Sequence, residues 1–123
     1  MYRHHLIFAI LLSLVSLTGR AQSNYVRIAK LVVDSSRLAD YISALREGIE
    51  TAVSTEPGVL SMYAVADQQW PFHITILETY ASRAAYEQHV QTPHFKKYKS
   101  GTSLWVKSLE LIDVVPVINQ TKQ

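Results

Sequence analysis

Residues 58–80 read GVLSMYAVADQQWPFHITILETY, and this stretch decides the fold. Two apolar runs rich in β-branched and aromatic side chains, 58–66 and 72–80, flank the polar, proline-containing segment 67–71. Two such runs joined by a turn sequence predict two antiparallel strands connected as a hairpin. We therefore expect a hairpin in the middle of the chain.

The segments before this hairpin predict one strand and one helix. YVRIAKLVV (25–33) is short and rich in β-branched residues, as strands are. From 38 to 53, apolar residues recur at the i, i+3, i+4, i+7 spacing of one helical face. We expect this helix to end before Glu56-Pro57-Gly58, because the residue that precedes a proline avoids helical dihedral angles.

The segments after the hairpin predict two short helices and a last strand. Ser82 and Thr92 are suited to cap the two helices, and Gly101 is expected to end or bend the second. LELIDVV (109–115) predicts the closing strand. The resulting order β-α-β-β-α-β is that of an α+β, ferredoxin-like domain, in which helices cover one face of an antiparallel sheet.

The predicted hairpin strands are apolar on both faces. Simple alternation places Val59, Tyr63 and Val65 on one face and Leu60, Met62, Ala64 and Ala66 on the other. A sheet with one solvated face alternates apolar and polar residues, so the second face is also expected to be buried. We predict a homodimer whose two sheets pack face to face, rather than a monomer with an exposed apolar sheet.

Residues 1–21, MYRHHLIFAILLSLVSLTGRA, have the order of a secretory signal peptide. A basic start precedes a short apolar run and a small-residue cleavage site. The run from Leu6 to Leu17 is shorter than the ~20 residues of a spanning helix, so a membrane anchor is the less favoured alternative. We predict cleavage before Gln22, an exported periplasmic or secreted protein, and one domain over 22–123 with its core at 25–117.

Charge and cysteine content exclude several classes of function. The chain has 12 Lys and Arg, 10 Asp and Glu, and no cysteine. Removal of Arg3 and Arg20 with the predicted signal leaves equal numbers of basic and acidic residues, which disfavours binding to nucleic acid or to an anionic membrane surface. Without cysteine there can be no disulfide, no thiolate nucleophile and no iron–sulfur ligation.

Four short motifs give the mature chain a family resemblance. They are Glu56-Pro57-Gly58, Glu78-Thr79-Tyr80, Tyr86-Glu87-Gln88-His89 and Thr92-Pro93-His94-Phe95. In this order they resemble the antibiotic biosynthesis monooxygenase family of dimeric α+β barrels, including its quinol monooxygenases, over about 25–117. The resemblance implies oxygenation of a small quinol-like or polyketide-like aromatic by O₂ with no cofactor, although the family also contains haem-degrading enzymes and an isomerase.

Haem chemistry is disfavoured at one position. As we align the motif, the haem-degrading relatives carry their axial histidine four residues after its phenylalanine, where this chain has Lys99. A protonated lysine is a poor iron ligand, although the neighbouring Tyr98 could serve as one in principle.

His89 and His94 are the candidate catalytic bases. His89 shares a predicted helical face with apolar residues, and an imidazole near apolar side chains tends to be neutral and able to accept a proton. His94 falls in the first turn of the next helix, where the helix dipole disfavours the imidazolium. The alternatives are a hydrogen-bonded core histidine for His89 and a helix-start residue for His94.

Six further residues are candidates for substrate binding. Glu78 ends the third strand as a partly buried carboxylate, which must find a donor on a histidine or on a partner chain. The aromatic candidates for the wall of a flat pocket are Trp70, Tyr80, Phe95, Tyr98 and Trp105, although at helical spacing the last three are also typical of core. We expect no metal site, since His89, His94 and Glu78 would all have to converge.

Three hypotheses about function follow, the third of which is the haem handling that position 99 disfavours. The first is a cofactor-independent monooxygenase in which a histidine removes a proton from the aromatic substrate, whose anion then reacts with O₂. The second is a non-catalytic dimer of the cell envelope that binds a small hydrophobic molecule. The same pocket would serve both, so turnover must distinguish them.

Overall fold

The computed structural model describes residues 23–123, which form one sheet and three helices. The predicted signal segment 1–21 lies outside the described residues. In chain order the elements are β1 (Tyr25–Val33), α1 (Leu38–Thr55), β2 (Val59–Ala66), β3 (His73–Tyr80), α2 (Arg83–His89), α3 (Pro93–Thr102) and β4 (Val106–Val114).

The four strands form an antiparallel sheet in the order β2-β3-β1-β4. The core lies between one face of this sheet and the helices: Leu31 and Ile76 of the sheet pack with Tyr41 and Leu45 of α1. A second cluster joins Tyr80 to residues of α1 and α2. The α+β, ferredoxin-like prediction is confirmed. Within the described residues, no helix is both long and apolar enough to cross a membrane.

A β-bulge near the start of β2 corrects the predicted assignment of residues to faces. The register with β3 shifts between Val59, opposite Tyr80, and Ser61, opposite Thr79. The extra residue moves the alternation by one position. Val59 therefore lies on the helix-covered face and is buried, whereas Tyr63 points to the opposite face and is 69% exposed.

Two predicted boundaries also change. β4 begins at Val106 instead of residue 109, because its first residues pair with the end of β1, where Val33 lies opposite Val106. α3 continues through Gly101 to Thr102. Gly101 has a negative φ and no neighbour near its Cβ position, so nothing forces the helix to end there.

Candidate active site

A cavity of about 100 Å³ lies between the helices and the sheet. Its aliphatic walls come from the sheet and from α1, and include Ala29, Leu31, Leu45, Ile49, Ile76 and Leu111. The polar and charged residues that reach it are Arg27, Glu78, Tyr80, Tyr86, His89, Tyr98 and Lys99. An apolar cavity with a few polar groups is the usual form of a small-molecule site.

His89 joins this cavity to a carboxylate outside it. It is the last residue of α2, which starts at its predicted cap, Ser82, and it is only 5% exposed. Its Nδ1 lies 2.8 Å from Oε2 of Glu56. Because a carboxylate oxygen accepts, Nδ1 carries a proton, and in a neutral imidazole Nε2 is then the nitrogen able to accept one.

His94 binds the same carboxylate but does not line the cavity. Its Nε2 donates to Oε2 of Glu56 over 2.7 Å. The turn between α2 and α3 sets this arrangement, because the Thr92 hydroxyl accepts from the Phe95 N–H and donates to the His89 carbonyl. His94 therefore contacts Glu56, whereas His89 contacts both Glu56 and the cavity.

Glu56 is the site residue that sequence reasoning missed. The sequence alone places it at a helix end and in a family motif, and the signal that points to it is a carboxylate next to a forced chain turn. The backbone at Gly58 lies very close to α2. A Cβ atom added to Gly58 would be 2.5 Å from the Ala85 Cβ. This close approach brings the Glu56 carboxylate, 14% exposed, to the two histidines.

Glu78 has a different partner from those expected. It lines the cavity and accepts a hydrogen bond of 2.7 Å from the hydroxyl of Tyr80, two residues along the same strand. Burial raises the pKa of the Glu78 carboxyl above its usual range. Burial and the nearby carboxylate likewise raise the pKa of Tyr80, which keeps its phenol protonated as the donor.

The raised pKa of Glu78 predicts a pH-dependent loss of stability. The folded state holds the proton more tightly than the unfolded state, so the free energy of unfolding should fall as pH rises from about 4.3 through the raised pKa. In Glu78→Gln the carbonyl can still accept from Tyr80 but no longer titrates, so this part of the slope should disappear. Urea unfolding at several pH values measures both curves, and equal slopes would contradict the assignment.

The aromatic candidates divide into two groups. Tyr80, Phe95 and Tyr98 line the cavity, and the Tyr98 hydroxyl lies 2.6 Å from that of buried Tyr41. Two do not line it, because other packing holds them elsewhere. Trp70 is 53% exposed in the β2–β3 turn, and Trp105 packs beside the core under the Arg37 guanidinium.

Arg27 is a cavity residue that sequence reasoning also missed. Its Nε donates to Asp113 over 3.1 Å, and its guanidinium lies over the Tyr86 ring, 4.3 Å from the centroid. Glu78 is its neighbour across the strand pair. Arg27 therefore places a fixed positive charge in the cavity wall.

The position corresponding to the haem-ligand histidine also reaches the cavity. Lys99 is among its lining residues. Tyr98, the nearby residue that could ligate iron in principle, instead shares its hydroxyl hydrogen bond with Tyr41.

Helices cover one face of an antiparallel sheet, a small apolar cavity lies between helices and sheet, and a histidine–carboxylate cluster adjoins this cavity through His89. These features define a ferredoxin-like domain with a pocket of the general form that small molecules occupy. Residues 24–100 match the family model described as antibiotic biosynthesis monooxygenase. Because the match covers more than half of the chain, the chain belongs to this family, as the motifs predicted.

Solved structures similar to this chain also include proteins described as members of this family. A protein of Bacteroides thetaiotaomicron VPI-5482, described as a candidate antibiotic biosynthesis monooxygenase, is 50% identical, with a TM-score of 0.78 over 82% of this chain and 96% of that one. A candidate monooxygenase of Lactobacillus acidophilus NCFM is 29% identical, with a TM-score of 0.73 over 75% of this chain and 44% of that one. A Nitrosomonas europaea protein, 19% identical over 76% of this chain and 90% of that one, shares the fold with a TM-score of 0.72. No curated protein matches. Family and neighbours together indicate a monooxygenase in general.

Proposed function

We propose that the protein is a cofactor-independent monooxygenase that oxidises a small quinol-like or polyketide-like aromatic with O₂, and that His89 is its base. The observation that carries the proposal is the double contact of His89: Nδ1 is held by Glu56 while the ring lines an apolar cavity. A neutral imidazole oriented in this way can accept a proton where apolar surroundings exclude water.

The proposed reaction needs no outside reductant. His89 Nε2 accepts a proton from the phenol or activated C–H of the substrate, and the resulting anion transfers electrons to O₂. One oxygen atom is bonded to substrate carbon. The other leaves as water with two hydrogens that the substrate loses, so the substrate itself supplies all the electrons.

Two cavity residues suit the oxyanion of such a substrate. Tyr98 lines the cavity with its hydroxyl hydrogen-bonded to that of Tyr41, and Arg27 supplies a positive charge nearby. Donors fixed before reaction stabilise developing negative charge more effectively than water, which must reorient. The volume, about 100 Å³, is of the same order as an apolar cavity of ~150 Å³ that admits benzene, so a single aromatic ring sets the scale of the substrate.

Oxygen uptake with a panel of single-ring quinols tests this function. We expect uptake with at least one of them and, under ¹⁸O₂, one labelled atom in the oxidised product. A ligand that binds but is recovered unchanged under O₂ would instead support the second hypothesis, a non-catalytic binding protein. A haem-dependent change in the Soret band with no quinol turnover would favour the third, haem handling.

We further propose that the protein is a homodimer through the outer face of its sheet. Tyr63, Val65 and Leu77 are more than 40% exposed there, and contiguous apolar surface of this kind is uncommon on soluble monomers. Sedimentation should give twice the mass of the chain. Leu77→Glu should give monomers, because a buried unpaired charge opposes association, while Ser43→Glu on the exposed side of α1 should not. A monomeric wild type at micromolar concentration would refute the dimer.

We also propose that the protein is exported and that residues 1–21 are removed during export. N-terminal sequencing of the protein recovered from outside the cytoplasm should begin at or near Gln22. A recovered chain that still carries Leu6 would show that the apolar segment is retained.

A further inference from the structure

Glu56, His89 and His94 place three potential metal ligands together. One ligand atom from each lies within 4.8 Å of the others. They come from three different places in the fold: the end of α1, the end of α2 and the first turn of α3. Two imidazoles and a carboxylate are the ligand set of one common class of zinc site. Glu78, the carboxylate weighed for such a set from the sequence, is bonded to Tyr80 instead.

The distances are close to those of a metal site. Oε2 of Glu56 lies 2.8 Å from His89 Nδ1 and 2.7 Å from His94 Nε2. Ligand atoms at ~2.0–2.1 Å from a tetrahedral ion are about 3.3 Å apart, so each of these two contacts must lengthen by roughly half an ångström. Side-chain rotations of this size leave the backbone unchanged.

The surroundings also suit a cation. Within the described part of the chain, the ion pairs of Glu56 are with these two histidines, and none joins it to lysine or arginine. A largely buried carboxylate needs a positively charged partner or a hydrogen-bond donor. A metal ion can take the place of the two histidine donors. The His94 side chain is 20% exposed, which leaves room for entry and for water as a fourth ligand.

We propose that Glu56, His89 and His94 form a binding site for a divalent transition-metal ion of the Zn²⁺ type. Metal binding exchanges the two N–H···O contacts for bonds to the ion. When neutral His89 binds through Nδ1, its single ring proton must move from Nδ1 to Nε2. In that form Nε2 can donate to a ligand in the cavity but can no longer accept a proton from it.

One consequence rests on the proposed function. If His89 Nε2 is the base, Zn²⁺ must inhibit turnover, and a chelator must restore it. Metal occupancy would then switch the site between a catalytic form and a binding form. Metal binding itself does not depend on turnover, so failure of one proposal is distinguishable from failure of the other.

The test is titration of tag-free, chelator-treated protein with Zn²⁺, followed by calorimetry, and with Co²⁺, followed by its visible absorption. We expect one ion per chain and the strong visible bands of a tetrahedral Co²⁺ site. Glu56→Gln and His94→Ala should each weaken binding by at least the ~10–100-fold that loss of a supporting residue costs in known sites. His73→Ala, which removes an exposed histidine of β3, should bind as the wild type does.

Thermal unfolding of each variant separates loss of a ligand from loss of fold. His94 is the most exposed member of the cluster, so we expect His94→Ala to fold. This variant therefore tests the proposal even if Glu56→Gln does not fold. Two results would overturn the proposal: no binding of either ion at micromolar concentration, or wild-type affinity in folded Glu56→Gln or His94→Ala.

Discussion

His89→Ala is expected to lower the turnover of any substrate found by oxygen uptake by about 10²–10⁴-fold, the usual contribution of a positioned general base. His89 is the histidine whose ring lines the cavity, with Nδ1 held at 2.8 Å by Glu56. The loss should be in kcat, because the base acts in the chemical step and the aromatic walls that bind substrate remain. Steady-state oxygen uptake in the presence of a chelator measures it.

Three companion variants define what His89 does. His89→Asn places an amide N–H where Nδ1 donates to Glu56, but it has no basic nitrogen, so it should be folded and as inactive as His89→Ala. Glu56→Gln keeps an acceptor but removes the negative charge, so we expect a smaller loss. His94→Ala should lose less still, because His94 does not line the cavity. Equal rates for wild type and His89→Ala would rule out His89 as the base.

Gly58→Ala is expected to destabilise the fold by about 1–3 kcal/mol, as overpacking of a tight contact does. The added Cβ would lie 2.5 Å from the Ala85 Cβ and 3.6 Å from its Cα, so α2 must move away from the start of β2. At roughly 4–8 °C per kcal/mol for a domain of this size, the melting temperature should fall by several degrees or more. Since α2 carries His89 and the Glu56 carboxylate lies beside Gly58, turnover should fall as well.

Two variants control for the replacement of glycine itself. Gly101→Ala is in a helix with open space around its Cβ position, so it should raise stability by up to ~1 kcal/mol. Ala85→Gly in the Gly58→Ala background removes the clashing methyl group and should recover part of the loss, less about 1 kcal/mol for glycine in a helix. If Gly58→Ala were as stable as the wild type, the close approach would not determine how α2 packs.

Local chain properties explain why most of the fold could be predicted. The helix that ends before Pro57, the caps Ser82 and Thr92, and the hairpin strands all depend on residues close together in sequence. The errors arose where distant segments meet. Pairing with β1 extends β4 back to Val106, and the bulge at the start of β2 reverses the face of Val59.

The site, like the fold, could be predicted from the sequence only in part. His89, Glu78, Tyr80, Phe95 and Tyr98 were selected from the sequence, and they line one cavity. Trp70 and Trp105 were selected on the same grounds and lie elsewhere, because aromatic character does not reveal where a side chain packs. Arg27 was not selected, because a charged residue in a strand gives no sign of lying across an aromatic ring.

By itself, the sequence determined the order of strands and helices, the family and the two histidines, since periodicity, capping residues and short motifs are local properties of the chain. Only the tertiary structure decided that Glu56, more than thirty residues before either histidine, is their shared partner, and that His89 alone of the two reaches the cavity. The physical reason is that both facts depend on how closely α2 approaches the turn at Gly58, a distance set by packing between remote segments.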